Sequence, residues 1–207
     1  MQKARPKTKK RGRPPKFDHD QVVEAAIGAF FRKGFEATTL DDLEASTGVD
    51  RSTLYNSFGG KAGLYRSAIG TYLSLAETGL FHPLLVGTDD GYADILEFLV
   101  NLRTGLISPD AIPGCLIVND MAAGTDPGAA ARYRTMLEDG LRAALARAGD
   151  PDPERRSHRA RLVTTSVIGI NLVSKATGDP DEIGVHVDAL VDLVSDWASE
   201  GAAEGHG

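Results

Sequence analysis

Cysteine occurs once in 207 residues, at Cys115, so no intramolecular disulfide, zinc ribbon or CxxC redox centre is available. A single thiol fits a reducing, cytoplasmic setting. Long apolar runs are missing too: the longest uncharged stretch, Leu162–Ser174, has 13 residues, whereas a bilayer span needs roughly 20. No apolar block follows the basic N-terminus, which argues against a secretory signal and a membrane partner. The five histidines (His19, His82, His158, His186, His206) have no metal-ligand spacing, and scattered surface or core histidines are expected. Phosphate loop, GxGxxG and nucleophile elbow are also absent, and the acids fall on solvated helix faces. No cofactor, metal or catalytic residue is therefore expected. What is present, 42% apolar and 25% charged residues, is the balance of an ordinary globular chain with room for one large or two small domains.

Acid is missing from one place. Residues 1–16 hold eight lysines and arginines and no carboxylate, a charge of +8, while the other residues carry −14. A basic arm on an acidic body is the pattern of a tail that contacts nucleic acid, and its prolines and low hydrophobicity predict a disordered segment. Within it, Lys10-Arg11-Gly12-Arg13-Pro14-Pro15-Lys16 resembles an AT-hook. Gly12 lets the backbone lie deep in a minor groove about 6 Å wide. Arg11 and Arg13 then follow the electronegative floor of A/T-rich DNA, and Pro14 keeps the chain extended. A solubilising terminus is the alternative.

From Asp18 the chain reads as helix. Asp18 is a suitable N-cap, and Val22, Val23, Ala26, Ile27, Phe30 and Phe31 make a broad apolar face. Lys33 and Gly34 supply the closing cation and glycine, after which Phe35 returns to pack. Thr39 caps a short second helix with Asp41 and Asp42 in its first turn. Gly48 makes the turn, Val49 anchors it, and Asp50 caps a third helix, Arg51–Phe58. Leu54 and Phe58 face inward there, leaving Arg51, Ser52, Thr53 and Asn56 outside. Two short helices around a glycine turn, the second with a small polar face, suit a major groove.

The segment Thr38–Tyr65, with its run Thr53-Leu54-Tyr55-Asn56-Ser57-Phe58-Gly59-Gly60-Lys61-Ala62-Gly63-Leu64-Tyr65, resembles the N-terminal domain of TetR/AcrR-type bacterial transcriptional regulators. Close resemblance covers about residues 18–66. Glu44 departs from the alanine common at that position, and Asn56-Ser57 from bulkier residues or histidine, so an operator sequence does not carry over. The resemblance implies base contacts by Arg51, Ser52, Thr53 and Asn56 and phosphate contacts by Thr39, Tyr55 and Lys61. Packing and capping are the alternative roles for Tyr55 and Thr39. Arginine suits guanine and asparagine adenine, while phenol and ammonium suit phosphate.

The implied architecture is all-α: a disordered arm over residues 1–16, a three-helix helix-turn-helix DNA-binding domain over 17–66, and a helical effector-binding and dimerisation domain over 67–207. Helices are expected at 61–80, 92–107, 128–148, 155–177 and 182–197, with a short one opening at Gly114-Cys115. The last two helices have wide apolar faces that suit either an intramolecular core or a four-helix dimer interface. An apolar effector lining is expected from Leu99, Leu102, Cys115, Leu116, Leu137, Leu141, Ile168 and Leu172. Cys115 reads as a small buried hydrophobe, with thiol sensing as the alternative.

These readings converge on a nucleoid-associated homodimer that grips a palindromic operator in double-stranded DNA, with an A/T-rich flank. Resemblance implies repression relieved by a small-molecule effector. An architectural A/T-preferring protein, or an activator without effector-driven release, is the other reading. Residues 17–66 hold five basic residues against eight acids, net −3, so the arm is expected to supply much of the affinity. Deleting residues 1–16 should weaken DNA binding and flatten its salt dependence while leaving the preferred sequence unchanged. Equal affinity and equal salt slope for the truncated protein would refute that division of labour.

Overall fold

The computed structural model describes residues 17–204, which form ten α-helices and no strand. The first three are α1 (His19–Ala37), α2 (Leu40–Thr47) and α3 (Arg51–Phe58). Each begins where a side chain meets free backbone donors. Asp18 accepts from the N–H groups of Asp20 and Gln21, Thr39 accepts from Asp42 in a reciprocal capping box, and Asp50 accepts from Thr53 at 2.7 Å. Val22, Val23, Ala26 and Phe30 bury one face of α1 against Leu43 of α2 and Leu54 of α3. At Gly34 the backbone leaves helical geometry (φ 77°), and a final turn runs to Ala37. That break returns Phe35, whose ring lies 6.3 Å from Phe30.

The fourth helix, α4 (Lys61–Thr78), ties this head to the body. It runs without interruption across residue 66, so one rigid rod belongs to both expected domains. Tyr65 packs edge-on against Phe30 and tilted against Phe35, and about two turns later Tyr72 meets Phe31 edge-on at 6.0 Å. The junction between α3 and α4 is backbone against backbone. A Cβ built on Gly63 would stand 1.5 Å from the carbonyl oxygen of Phe58, so no other residue fits there.

The body contains α5 (His82–Leu85), α6 (Gly91–Ile107), α7 (Leu116–Ala123), α8 (Pro127–Arg147), α9 (Pro153–Thr177) and α10 (Pro180–Glu204). Three of these open on a proline, whose missing N–H costs nothing in the first turn. Sequence periodicity starts α10 at Glu182, two residues late, because Pro180 and Asp181 carry no apolar signal. His82-Pro83 reads as a break but makes the one-turn α5, with Pro83 in its first turn.

Two charged clusters pin the loops. The Asp94 carboxylate accepts from the backbone N–H and hydroxyl of Thr88 and from Arg147, whose guanidinium also reaches the Pro83 and Leu84 carbonyls. Asp150 accepts from Arg155 and Arg159, and Arg159 continues to Glu200 while lying over the Trp197 ring. These clusters tie α6 to α8 and α9 to α10.

Helix α9 has two apolar faces. Val163, Val167 and Ile170 are buried, whereas Leu162 and Leu172 stand exposed on the outside. Helix α10 repeats the division, with Val187, Leu190, Val194 and Trp197 inside and Val185, 69% exposed, outside.

Gly63→Ala should therefore lower stability by about 3 kcal/mol, since overpacking here meets backbone. Gly70→Ala in the same helix, where an added Cβ meets nothing within 4 Å, should raise it by about 0.5–1 kcal/mol. Thermal melts of the two variants check the opposite signs. A second expectation concerns acid. Burial opposes ionisation of Asp94, but Arg147 and Thr88 more than offset this and hold its carboxyl below the ordinary 3.8. A depressed carboxyl contributes fully above the ordinary value and loses its contribution as pH falls through the folded one. The melting temperature should drop below pH 3.8, and the drop should be smaller in Asp94→Asn.

Candidate nucleic-acid interface

The outer surface of α3 is set by its attachment. Leu54 is fully buried and Phe58 partly so, which turns Arg51, Ser52, Tyr55 and Asn56 to solvent. Thr53 is half-buried at the edge of this face, its N–H taken by Asp50. Thr53 hydrogen bonds hold the Asp50 carboxyl below its usual value, so the cap remains a carboxylate in mild acid. On the other side of the turn, Lys33 donates to Asp42 at 2.6 Å and, with Thr39, lowers that carboxyl to about 2.

Tyr55 is 58% exposed, and its ring lies across Gly60. A Cβ on Gly60 would approach that ring to 2.9 Å, and Gly60 also has φ 84°, so the Gly59-Gly60 turn fits glycine twice over. Thr39 is exposed, and its side chain is engaged in the capping box. The ammonium of Lys61 donates to the Glu36 carbonyl at 3.1 Å and sits 4.5 Å above the Phe35 ring, closing the end of α1 onto the start of α4. The rings of Phe17 and His19 lie 6.4 and 4.4 Å from Phe58, so the chain enters the head beside the C-terminal end of α3. Arg11, Gly12, Arg13 and Pro14 lie outside the described residues.

Sequence reasoning missed the partners of Arg51. Its backbone N–H donates to Glu44 at 2.7 Å, its Nε to the same carboxylate at 3.2 Å, and its Nη2 to Asp41. Asp41, then Glu44, raise the pKa of the guanidinium. Neither acid stands three or four residues from Arg51, because the contact crosses the turn between α2 and α3. Gly63 was missed as well; a glycine early in a helix, where it weakens the helix, was the available signal.

A cavity of about 410 Å³ lies where head and body meet. Phe31 of α1, Tyr72 and Ala76 of α4, and Tyr133 of α8 line it, with Leu102 of α6 and Cys115. The polar groups of Asn101 and Asn171 interrupt a mainly apolar wall. Of the lining expected from periodicity, Leu102 and Cys115 are there and the rest are elsewhere. Leu99, Leu137 and Leu141 are fully buried core, Leu116 is buried in α7, Ile168 packs partly buried against the core, and Leu172 is exposed on α9. Helical spacing marks which residues leave water and says nothing about which border a void. The Tyr72 hydroxyl donates to Cys115 Sγ at 3.5 Å, and burial pushes the thiol pKa up, so Cys115 is held as a thiol. Among the described residues no His/Cys/Asp/Glu group could hold a metal, and no helix is long and apolar enough to cross a membrane.

Comparison with known proteins agrees with this geometry. Residues 22–68, which span α1 to the start of α4, match the family of bacterial regulatory proteins, tetR family. An uncharacterised HTH-type transcriptional regulator of Bacillus subtilis, YezE, is 29% identical over 195 residues, covering 88% of this chain and 99% of that protein. The HTH-type transcriptional repressor ComR of Escherichia coli is 30% identical over 112 residues, covering 54% of this chain and 53% of its own length. Among solved structures, a cysteine mutant of the TetR family regulator CifR, complexed with a 26-bp double-strand operator DNA, shares the fold. Its TM-score is 0.73 at 22% identity, over 87% of this chain and 98% of that one. Residues 22–68 thus carry the pattern of the tetR family of bacterial regulatory proteins, and the described residues share the fold of a TetR family transcriptional regulator.

Proposed function

We propose that the protein is a homodimeric repressor that reads a palindromic operator with α3 and leaves it when a small molecule enters the cavity between head and body. The observation that carries this reading is the composition of the cavity wall, which joins Phe31 of the head to Tyr72 of the connecting helix. A ligand wedged against that aromatic pair moves α1 relative to α4, and with them the reading helix. Two heads fit one face of a duplex only when their spacing nears a multiple of the helical repeat, so a small rotation is enough for release.

The face of α3 supports the DNA contacts. Arg51, Ser52 and Asn56 supply donors and acceptors for base edges, and Tyr55 an exposed phenol for phosphate. Thr53, Thr39 and Lys61 have part of their hydrogen-bonding capacity taken up inside the head. We assign them to the rim of the contact, where a hydroxyl or a spare ammonium proton reaches backbone oxygens. We assign Arg11, Gly12, Arg13 and Pro14 to the minor groove flanking the α3 contact, on the strength of their AT-hook-like sequence. The outer faces of α9 and α10, with Leu162, Leu172 and Val185, support an isologous four-helix interface between two copies. For the effector, a mainly apolar wall with two phenols and two carboxamides suits an aromatic or alicyclic molecule bearing one or two polar groups.

Selection from a randomised duplex pool tests the first half. A palindromic consensus bound by two chains is expected; a single asymmetric site bound by one chain would contradict it. For the second half, compounds that raise the melting temperature of the protein, but not of Ala76→Trp, should lower affinity for the selected duplex at least tenfold. Cavity binding that leaves DNA affinity unchanged would rule out release by this route.

A further inference from the structure

The base-reading arginine expected of α3 is not free. Arg51 is the first residue of that helix, so its N–H is one of the donors that the helix itself leaves unpaired. Glu44 satisfies it with one carboxylate oxygen at 2.7 Å and uses the other, at 3.2 Å, to take Nε–H of the same residue. Asp41, one turn earlier on α2, takes Nη2. A guanidinium has five N–H donors: one on Nε and two on each terminal nitrogen. Glu44 therefore holds Nε and Asp41 holds Nη2, and neither acid takes Nη1. Both protons of Nη1 and one of Nη2 are left, enough for the pair of donors that matches O6 and N7 of guanine.

We propose that Asp41 and Glu44 are specificity-determining residues, an acidic clasp that offers Arg51 to guanine and withholds it from phosphate. The proposal rests on α3 being the base-contacting helix. The three side chains together carry a charge of −1, at the front of a head whose own net charge is −3. On a non-cognate duplex the donors left free point at base edges that do not accept them, and turning Arg51 toward a phosphate at the groove rim takes it off the clasp and leaves two carboxylates facing a polyanion. On the cognate base, Arg51 gains two hydrogen bonds without leaving either acid. The acids therefore penalise the wrong sequence more than the right one, a repulsive element that widens the gap between them. Glu44 also fixes where the arginine stands, because its grip on the Arg51 backbone couples α2 to the first turn of α3.

The test uses the full chain, the duplex that wild-type protein selects from a randomised pool, and a scrambled duplex of the same composition. The double variant Asp41→Asn/Glu44→Gln keeps an oxygen acceptor for the Arg51 N–H and removes both charges. Its affinity for the scrambled duplex should rise about tenfold, with a log–log salt slope steeper by about one per chain, while affinity for the selected duplex changes less than threefold. A selected-to-scrambled ratio equal to that of wild type, whether both affinities rise together or neither moves, would overturn the proposal. The same pair of changes on an Arg51→Ala background should leave the ratio where Arg51→Ala alone puts it; a further fall there would show that the acids do not act through Arg51. If Arg51→Ala alone discriminates as well as wild type, the reading of α3 fails, and the clasp with it. Melting curves of all variants confirm that the heads are folded.

Discussion

The contact that organises this protein is the approach of the Phe58 carbonyl to Gly63. No side chain separates the end of α3 from the start of α4, so the two helices are joined at backbone distance. Everything on the DNA-facing side inherits its position from that junction. Leu54 fills the space behind it, the Gly59-Gly60 turn lets Tyr55 lie flat across the corner, and Lys61 closes the end of α1 over Phe35. On the body side, α4 carries the same rigid orientation past Tyr65 and Tyr72 to the wall of the cavity. The same helix α4 thus runs unbroken from the Gly63 junction to Tyr72 in the cavity wall.

Rigid coupling also explains the division of chemistry along the chain. Many polar groups of the head are paired locally, by caps and by ion pairs between neighbouring helices. The body relies on buried carboxylates: Asp94 is held by Arg147 from α8, and Asp150 by Arg155 and Arg159 of the helix that follows it. A head with a net charge of −3 gains little general attraction to a polyanion from its own charge.

Much of the head was legible in the sequence because its signals are local. Asp18, Thr39 and Asp50 are capping residues one step before an apolar repeat, and Gly34 and Gly48 mark turns that need a positive φ. The outward face of α3 followed from the four-residue spacing of Leu54 and Phe58. Contacts across elements left no such trace. The clasp of Asp41 and Glu44 on Arg51 joins residues ten and seven positions apart through a turn. Phe31 and Tyr72 read as two more core aromatics. The cavity was misplaced for the same reason: Leu99, Leu137 and Leu141 have the right spacing to be buried, and they are buried in solid core. Leu172 shows the converse, an apolar residue on a buried-looking repeat that points outward, because α9 has two apolar faces.

The decisive measurement is the ratio of affinities for selected and scrambled duplex in the Arg51→Ala/Asn56→Ala double variant, with folding verified by its melting curve. If the outer face of α3 reads base edges, that ratio falls toward one while residual binding to any duplex persists. A ratio indistinguishable from that of the unaltered protein would mean that sequence is read elsewhere, and that the rigid junction at Gly63 serves some other purpose.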